Sequence, residues 1–308
     1  MDLNTLVLVS LIVIILICYT YVVRYSRIAL SNINTVYVSD RIPKKIWLYW
    51  NTPIRDSPKI VKICIHLFQK LNPQFECIVM NQDTYRNFVK DDRVIHILDG
   101  DYKQIYKSDL LRWYLMYEYG GIYADASILP FCSFEWIIDL MNHTNKQVCL
   151  YKNQHHTTNN LQPVYEEWLI VSEPRSRVAE IVYNNFARLL EMGVEKSYKY
   201  LRNQSTDYQN FSTHGSYHLI YFLMIHLFST ENLHKDIYGL GCNYHSYPCI
   251  YIGGRPNVGE IFYNRLSRTR CIIFASKNKF VKLTAYNREY LKTIDYPKKN
   301  TLLDYLLT

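Results

Sequence analysis

A carboxylate and a guanidinium three residues apart, Asp109 and Arg112, are followed beyond a pair of glycines by a second carboxylate, Asp125. All three lie within residues 107–129, KSDLLRWYLMYEYGGIYADASIL. The spacing predicts a helix over residues 109–119, capped by Ser108 and stopped at Gly120-Gly121. On that helix Asp109 and Arg112 share a face, close to an N-terminus whose unpaired N–H groups favour anions. Residues 122–127 (IYADAS) then read as a strand that delivers Asp125 at its end. A carboxylate at a strand end, beside a glycine that lets backbone approach closely, is a cradle for a divalent cation carrying a pyrophosphate. Such a metal acts as a Lewis acid on the departing phosphate. The same residues admit plainer roles, a surface ion pair for Asp109 and Arg112 and a turn for Asp125.

The elements that must hold these residues alternate. Residues 46–50 (IWLYW) read as a buried strand, and Ser57-Pro58 opens a helix to about residue 71 with Ile60, Cys64, Leu67 and Phe68 on its apolar side. Residues 75–80 form a second strand, 83–89 a short helix and 94–98 a third strand. This order predicts an α/β fold with a parallel sheet, right-handed crossovers and a ligand at the carboxyl ends of the strands. From about residue 137 the chain is richer in helices, the clearest being 164–170, 177–190 and 217–228.

Composition sets the frame. The 308 residues are 49% hydrophobic and 20% charged, which excludes a disordered chain and a multi-pass membrane protein. Eight cysteines include no C-x-x-C pair; Cys242, His245 and Cys249 have a loosely metal-like spacing without an evident fourth ligand. Residues 6–23 (LVLVSLIVIILICYTYVV) carry no charge and are long enough to span a bilayer. With no basic residue before the run and no small-x-small site after it, a retained single-pass anchor fits better than a cleaved signal. The expected organisation is an N-terminal anchor over residues 1–30, a stem over 31–40 and one catalytic domain over 41–308. Arg24, Arg27, Arg41, Lys44 and Lys45 favour a cytosolic domain, whereas sequons at Asn142, Asn203 and Asn210 point to a lumenal one, so the membrane side stays open. The 29 tyrosines fit an AT-rich coding bias; Tyr49, Tyr106, Tyr114 and Tyr123 also crowd the proposed site, where tyrosine faces can carry a sugar.

Three blocks, residues 42–50 (IPKKIWLYW), 108–127 (SDLLRWYLMYEYGGIYADAS) and 281–286 (VKLTAY), resemble the glycosyltransferases that carry a sugar-binding region with a DXD motif. They are most similar to the capsular-polysaccharide-synthesis branch, and more distantly to fungal initiating mannosyltransferases and clostridial glucosylating toxins. The resemblance implies a GT-A-like nucleotide-sugar-binding fold, a nucleotide-sugar donor, a glycan or lipid-linked acceptor, a Mn2+ or Mg2+ ion and retention at the anomeric carbon. It implies that Asp125 engages metal and donor, and that Asp109 and Arg112 hold the donor's ribose and sugar hydroxyls. A bidentate fork there explains an arginine in place of a lysine. Trp50 falls where the family meets the nucleobase, and Gly121 and Tyr123 complete the expected donor set. The third motif position is Ser127, not an acid, so one metal ligand is exchanged for a hydroxyl. His214, in STHGSYH, is the first candidate for a compensating ligand and His245 the second, each against an ordinary structural histidine.

Residues 254–299 hold eleven Lys and Arg against three acids, an excess equal to the whole chain's net charge of +8. Either a solvated face or a patch near phosphate or anionic lipid accounts for this, with Lys282 the member expected to approach the donor phosphates. The anchor and the sugar-transfer block leave nucleic acid nothing to explain. The leading expectation is a membrane-anchored, metal-dependent hexosyltransferase. The contrasting one is a non-catalytic glycan- or nucleotide-sugar-binding membrane protein on the same fold.

Overall fold

Strand β1 (Lys45–Tyr49) alternates across a sheet, sending Ile46 and Leu48 into one buried cluster and Trp47 into another. In this computed structural model, residues 41–204, 215–242, 251–252, 255–256, 259–293 and 295–308 are described. The anchor, the stem, His214, His245 and Cys249 lie outside the described residues. Among the described residues no helix is long and apolar enough to cross a membrane.

Helix α1 (Lys59–Leu71) buries Ile60, Cys64, Leu67 and Phe68 as their spacing predicts, with Pro58 at the N-cap. Strand β2 (Glu76–Met80) then pairs parallel to β1. The expected strand at 94–98 is instead helix α2 (Asp92–Asp99). The Asp91 carboxylate caps it by accepting from the N–H groups of Arg93 and Val94, and Val94, Ile97 and Leu98 recur at helical spacing to form its buried side. A good cap and that period outweigh the β-branched content.

Helix α3 (Gln104–Glu118) starts five residues earlier than expected. Ser108 is therefore interior, its hydroxyl donating to the Ile105 carbonyl at 2.8 Å, and Asp109 is well inside the helix, away from the free N–H groups of its first turn. Strand β3 (Gly121–Asp125) runs parallel to β1. Gly121 adopts φ +90°, and a Cβ there would fall 2.7 Å from the Lys45 carbonyl oxygen, so the glycine serves close packing of β3 on β1. Beyond it lie β4 (Ile128–Pro130), α4 (Glu135–Asn142) and β5 (Val148–Lys152).

The helix expected over 164–170 is strand β6 (Tyr165–Ser172), and all eight of its residues are buried. It is antiparallel to both β3 and β5, and a central strand covered on both faces shows no alternation to distinguish it from a buried helix. Helices α5 (Arg177–Met192), α6 (Val194–Gln204) and α7 (Leu219–Glu231) precede β7 (Ile237–Gly241), which gives the sheet order β2-β1-β3-β6-β5-β7. The basic segment contributes α8 (Arg268–Lys277), β8 (Phe280–Lys282) and α9 (Ala285–Lys292), and the chain closes with α10 (Leu302–Leu307). Strand β8 pairs antiparallel with β4. One core cluster lies between the sheet and α2, α3, α5, α6 and α7; the other lies on the opposite face with α1, α4, α8 and α10. The sheet is therefore mixed, with β6 its reversed strand, and the carboxyl ends of β1 and β3 emerge together.

Candidate active site

Tyr49 and Asp125 stand opposite each other in the β1–β3 register. The chain leaves this edge as Trp50 and as Ala126-Ser127, and a cavity of about 560 Å³ opens over it. This is the edge at which parallel strands place ligands.

Helix α3 supplies one wall. The three-residue spacing brings Arg112 Nη2 to 3.2 Å from Asp109 Oδ1, and both side chains are almost fully buried. Burial excludes the plainer reading of a surface ion pair. Arg112 Nη1 donates to the Glu167 carbonyl oxygen at 3.0 Å, Nη2 reaches Asp125 Oδ1 at 3.4 Å, and the guanidinium lies 5.1 Å from the Tyr123 ring centroid. The fork is thus fixed by backbone, carboxylate and ring together. Burial pushes the Asp109 carboxyl up to about 7, against the pull of Arg112 and with a further push from Asp125. Burial and Asp109 likewise hold Glu167 far above the usual carboxylate range. One guanidinium cannot keep both of these carboxylates and Asp125 ionised in so dry a place.

The other wall comes from the basic segment. Pairing of β8 with β4 sets Lys282 opposite Ile128, and the Leu283 N–H donates to the Ser127 carbonyl at 3.1 Å. From that fixed backbone Lys282 Nζ reaches Asp125 Oδ2 at 2.6 Å and Ser127 Oγ at 2.9 Å. A capping box of Thr284 and Asn287 starts α9. It positions Arg288, whose Nη1 donates to Ser127 Oγ at 3.3 Å and to the Leu283 carbonyl at 3.0 Å. The Arg288 guanidinium lies 5.6 Å from the Trp50 ring centroid. Burial alone would raise the Asp125 carboxyl, but Lys282, Arg112 and Arg288 outweigh it and hold the group below its ordinary value. Burial also lowers Lys282 and Arg288, opposed in both by Asp125.

Asp109, Arg112, Asp125, Ser127, Trp50, Tyr123 and Lys282 thus meet in one cavity. Gly121 does not, because it lies at the amino end of β3 while Asp125 is at the carboxyl end. Its part in donor binding gives way to packing against Lys45. Trp47 is core, its indole N–H donating to the Gly120 carbonyl at 2.9 Å, and Tyr49 lines the cavity. Tyr106 and Tyr114 act as latches: the Tyr106 hydroxyl donates to the Ser216 carbonyl at 3.1 Å, and the Tyr114 hydroxyl accepts from the Lys90 N–H at 3.0 Å.

Arg288, Glu166 and Glu167 are cavity residues that sequence reasoning missed. Two adjacent acids inside the apolar run VYEEWLIV were the available signal, because carboxylates are rarely buried without purpose. Glu166 is held by Asn153 Nδ2 at 2.6 Å and the Tyr221 hydroxyl at 2.9 Å.

The divalent cation implied by the motif meets an unsuitable donor set. Asp125 and Ser127 offer one carboxylate and one hydroxyl, and the Lys282 ammonium already bridges their oxygens. Among the described residues no three His, Cys, Asp or Glu side chains converge on a cation position. Magnesium needs at least one or two protein carboxylates beside its waters and the substrate phosphates, and the one carboxylate here is held by an ammonium, so these residues as arranged do not fit it.

Two solved structures are similar to this chain. One, "PaToxG Glycosyltransferase", is 14% identical, with 71% of this chain and 86% of that chain covered at a TM-score of 0.35. The other, a glycosyltransferase involved in the glycosylation of the major capsid of PBCV-1, is 9% identical, with 81% and 100% covered at a TM-score of 0.41. No curated protein matches. Residues 17–236 match the family described as "Capsular polysaccharide synthesis protein", well over half of the 308-residue chain. The chain belongs to the capsular polysaccharide synthesis protein family, the branch of glycosyltransferases that its central block resembles.

Proposed function

We propose that this glycosyltransferase moves a hexose from a nucleotide-sugar donor to a glycan or lipid-linked acceptor, with retention at the anomeric carbon, while residues 6–23 hold it at a membrane. The observation that carries this reading is the convergence of Asp109, Arg112, Asp125 and Lys282 over the carboxyl ends of β1 and β3. The sheet order, with its one reversed strand, supports a GT-A-like nucleotide-sugar-binding fold.

In this reading the Arg112 fork, fixed by Asp109 and the Glu167 carbonyl, orients donor hydroxyls, and Trp50 supplies a flat face for the base. Lys282 and Arg288 face the diphosphate, where negative charge grows as the glycosidic bond breaks. Asp125 holds Lys282 in place and keeps the cavity wall from carrying three unopposed cations.

The test is a panel of nucleotide sugars read out as donor hydrolysis and transfer, comparing wild type with Asp125→Ala. One donor should be consumed by wild type, and the variant should lose at least about 100-fold, the size of effect that follows loss of one preorganised hydrogen-bond donor, because Lys282 loses the carboxylate that positions it. Nucleotide binding without consumption of any donor would assign the non-catalytic reading.

A further inference from the structure

The positions that a D-x-D motif offers to a metal are here Asp125 and Ser127, and every oxygen they present to the cavity is engaged by a protein cation. Lys282 Nζ takes Asp125 Oδ2 and Ser127 Oγ at 2.6 and 2.9 Å. Arg112 Nη2 stands 3.4 Å from Asp125 Oδ1, and Arg288 Nη1 donates to Ser127 Oγ at 3.3 Å. The Lys282 side chain is only 14% exposed, and its backbone is locked to the motif strand by β8–β4 pairing. The ammonium therefore belongs to the architecture of the site. Ser127 suits this arrangement: a second carboxylate would add negative charge to attract a metal, whereas a hydroxyl accepts from Lys282 and Arg288 without it.

We propose that the Lys282 ammonium, with Arg288, takes the place of the divalent cation, so that donor binding and sugar transfer proceed without metal. The inference rests on the nucleotide-sugar reading above and names the groups that hold the diphosphate. In the transfer, the bond between the anomeric carbon and the diphosphate oxygen breaks, and its electron pair goes to that oxygen. The acceptor hydroxyl oxygen forms the new bond to carbon, and its proton passes to the released nucleoside diphosphate. Lys282 and Arg288 stabilise the charge that develops on the leaving oxygen, as a metal would, and no oxidant or further reactant is needed.

The experiment is calorimetric titration of the full-length protein with UDP, GDP, ADP, CDP and dTDP, once in EDTA and once in excess Mn2+. At least one nucleotide should bind with a Kd in EDTA within about threefold of that in Mn2+. Lys282→Ala and Arg288→Ala should each weaken it at least tenfold in EDTA, with thermal melting confirming that each variant is folded. Should Lys282→Ala not fold, Lys282→Gln provides the same comparison. Binding that requires Mn2+ overturns the metal-free inference and leaves the nucleotide-sugar reading standing. Unchanged affinity in folded Lys282 and Arg288 variants overturns it too. Absence of binding by every nucleotide in both buffers removes the nucleotide-sugar reading, and the inference with it.

Discussion

At the scale of single residues, Arg112 decides the electrostatics of the cavity. Its guanidinium is flanked by Asp109 and Asp125 and donates to the Glu167 backbone, so its removal would leave Asp109 without its paired cation and Asp125 to Lys282 and Arg288 alone. Arg112→Lys keeps the charge but loses the fork, and should lower kcat/KM by about 100-fold, in line with roughly 1.5–3 kcal/mol per hydrogen bond to a charged group. Steady-state kinetics with the identified donor check this, and unchanged kinetics would mean that the fork does not meet the donor. Asp109 yields a pH signature. Its carboxyl is raised from the ordinary 3.8 to about 7, so the folded protein keeps a proton that the unfolded chain has released. The stability linked to that proton is present below about pH 4 and is lost as pH rises towards 7. Arg112, Asp125 and Glu167 are the titratable groups facing it. Wild type should melt at falling temperature from pH 5 to pH 8, and Asp109→Asn should flatten that slope while losing transfer; equal slopes in scanning fluorimetry would count against it. These residues were legible because α3 carries Asp109 and Arg112 three apart and β3 ends on Asp125, local facts that survive errors in helix bounds. Glu167 and Arg288 were not, because one entered through a strand read as a helix and the other through a basic run that gave no reason to prefer it.

At the scale of elements, the sequence was readable where one face of an element met solvent and hard to read where neither did. Helix α1 shows its apolar side at 3.6-residue spacing and was placed to within a residue or two; β1, buried on both faces, is the exception, because a run of five residues is too short for a helix. Strand β6 is buried along its whole length, and its continuous run fits either element. Helix α2 turned on a cap at Asp91 that lies outside the expected span. The Gly120-Gly121 pair shows the same limit at a turn: composition marked a stop, and only the structure tells packing from ligand approach. Gly121→Ala should cost at least about 1–3 kcal/mol from the left-handed backbone alone, with the 2.7 Å approach to the Lys45 carbonyl added. Gly193, at φ +95° with nothing within 4 Å of a Cβ, provides the control and should cost less on the same substitution. Chemical denaturation of both variants checks the order, and a mild Gly121→Ala that spared stability but abolished nucleotide binding would restore Gly121 to the donor site.

At the scale of the whole molecule, the net charge of +8 separates into two populations with different physical consequences. Lys282 and Arg288 are turned into the cavity, where Asp125 opposes their charge and Ser127 accepts a hydrogen bond from each. Arg265, Arg268, Arg270 and Lys277 are exposed on and beside α8, which also presents Ile272 and Ile273 at 49% and 48% exposure. Two exposed aliphatic side chains on a helix that also carries exposed cations suit an anionic bilayer surface, where each cation contributes about 1 kcal/mol and the apolar groups add their burial. The same cations are poorly placed to hold a diphosphate, because none of them lines the cavity and salt screens exposed charges over about 8 Å. A fragment of residues 41–308, which contains both core clusters, should therefore sediment with phosphatidylglycerol vesicles and not with phosphatidylcholine ones. Arg268→Glu, Arg270→Glu and Lys277→Glu together should weaken that binding by at least about 100-fold, from roughly 3 kcal/mol of lost attraction. Nucleotide affinity should stay within about threefold, because the cavity cations are untouched. Vesicle binding that survives the triple change would rule out α8 as its site, and a parallel loss of nucleotide affinity would show that the two populations act as one field.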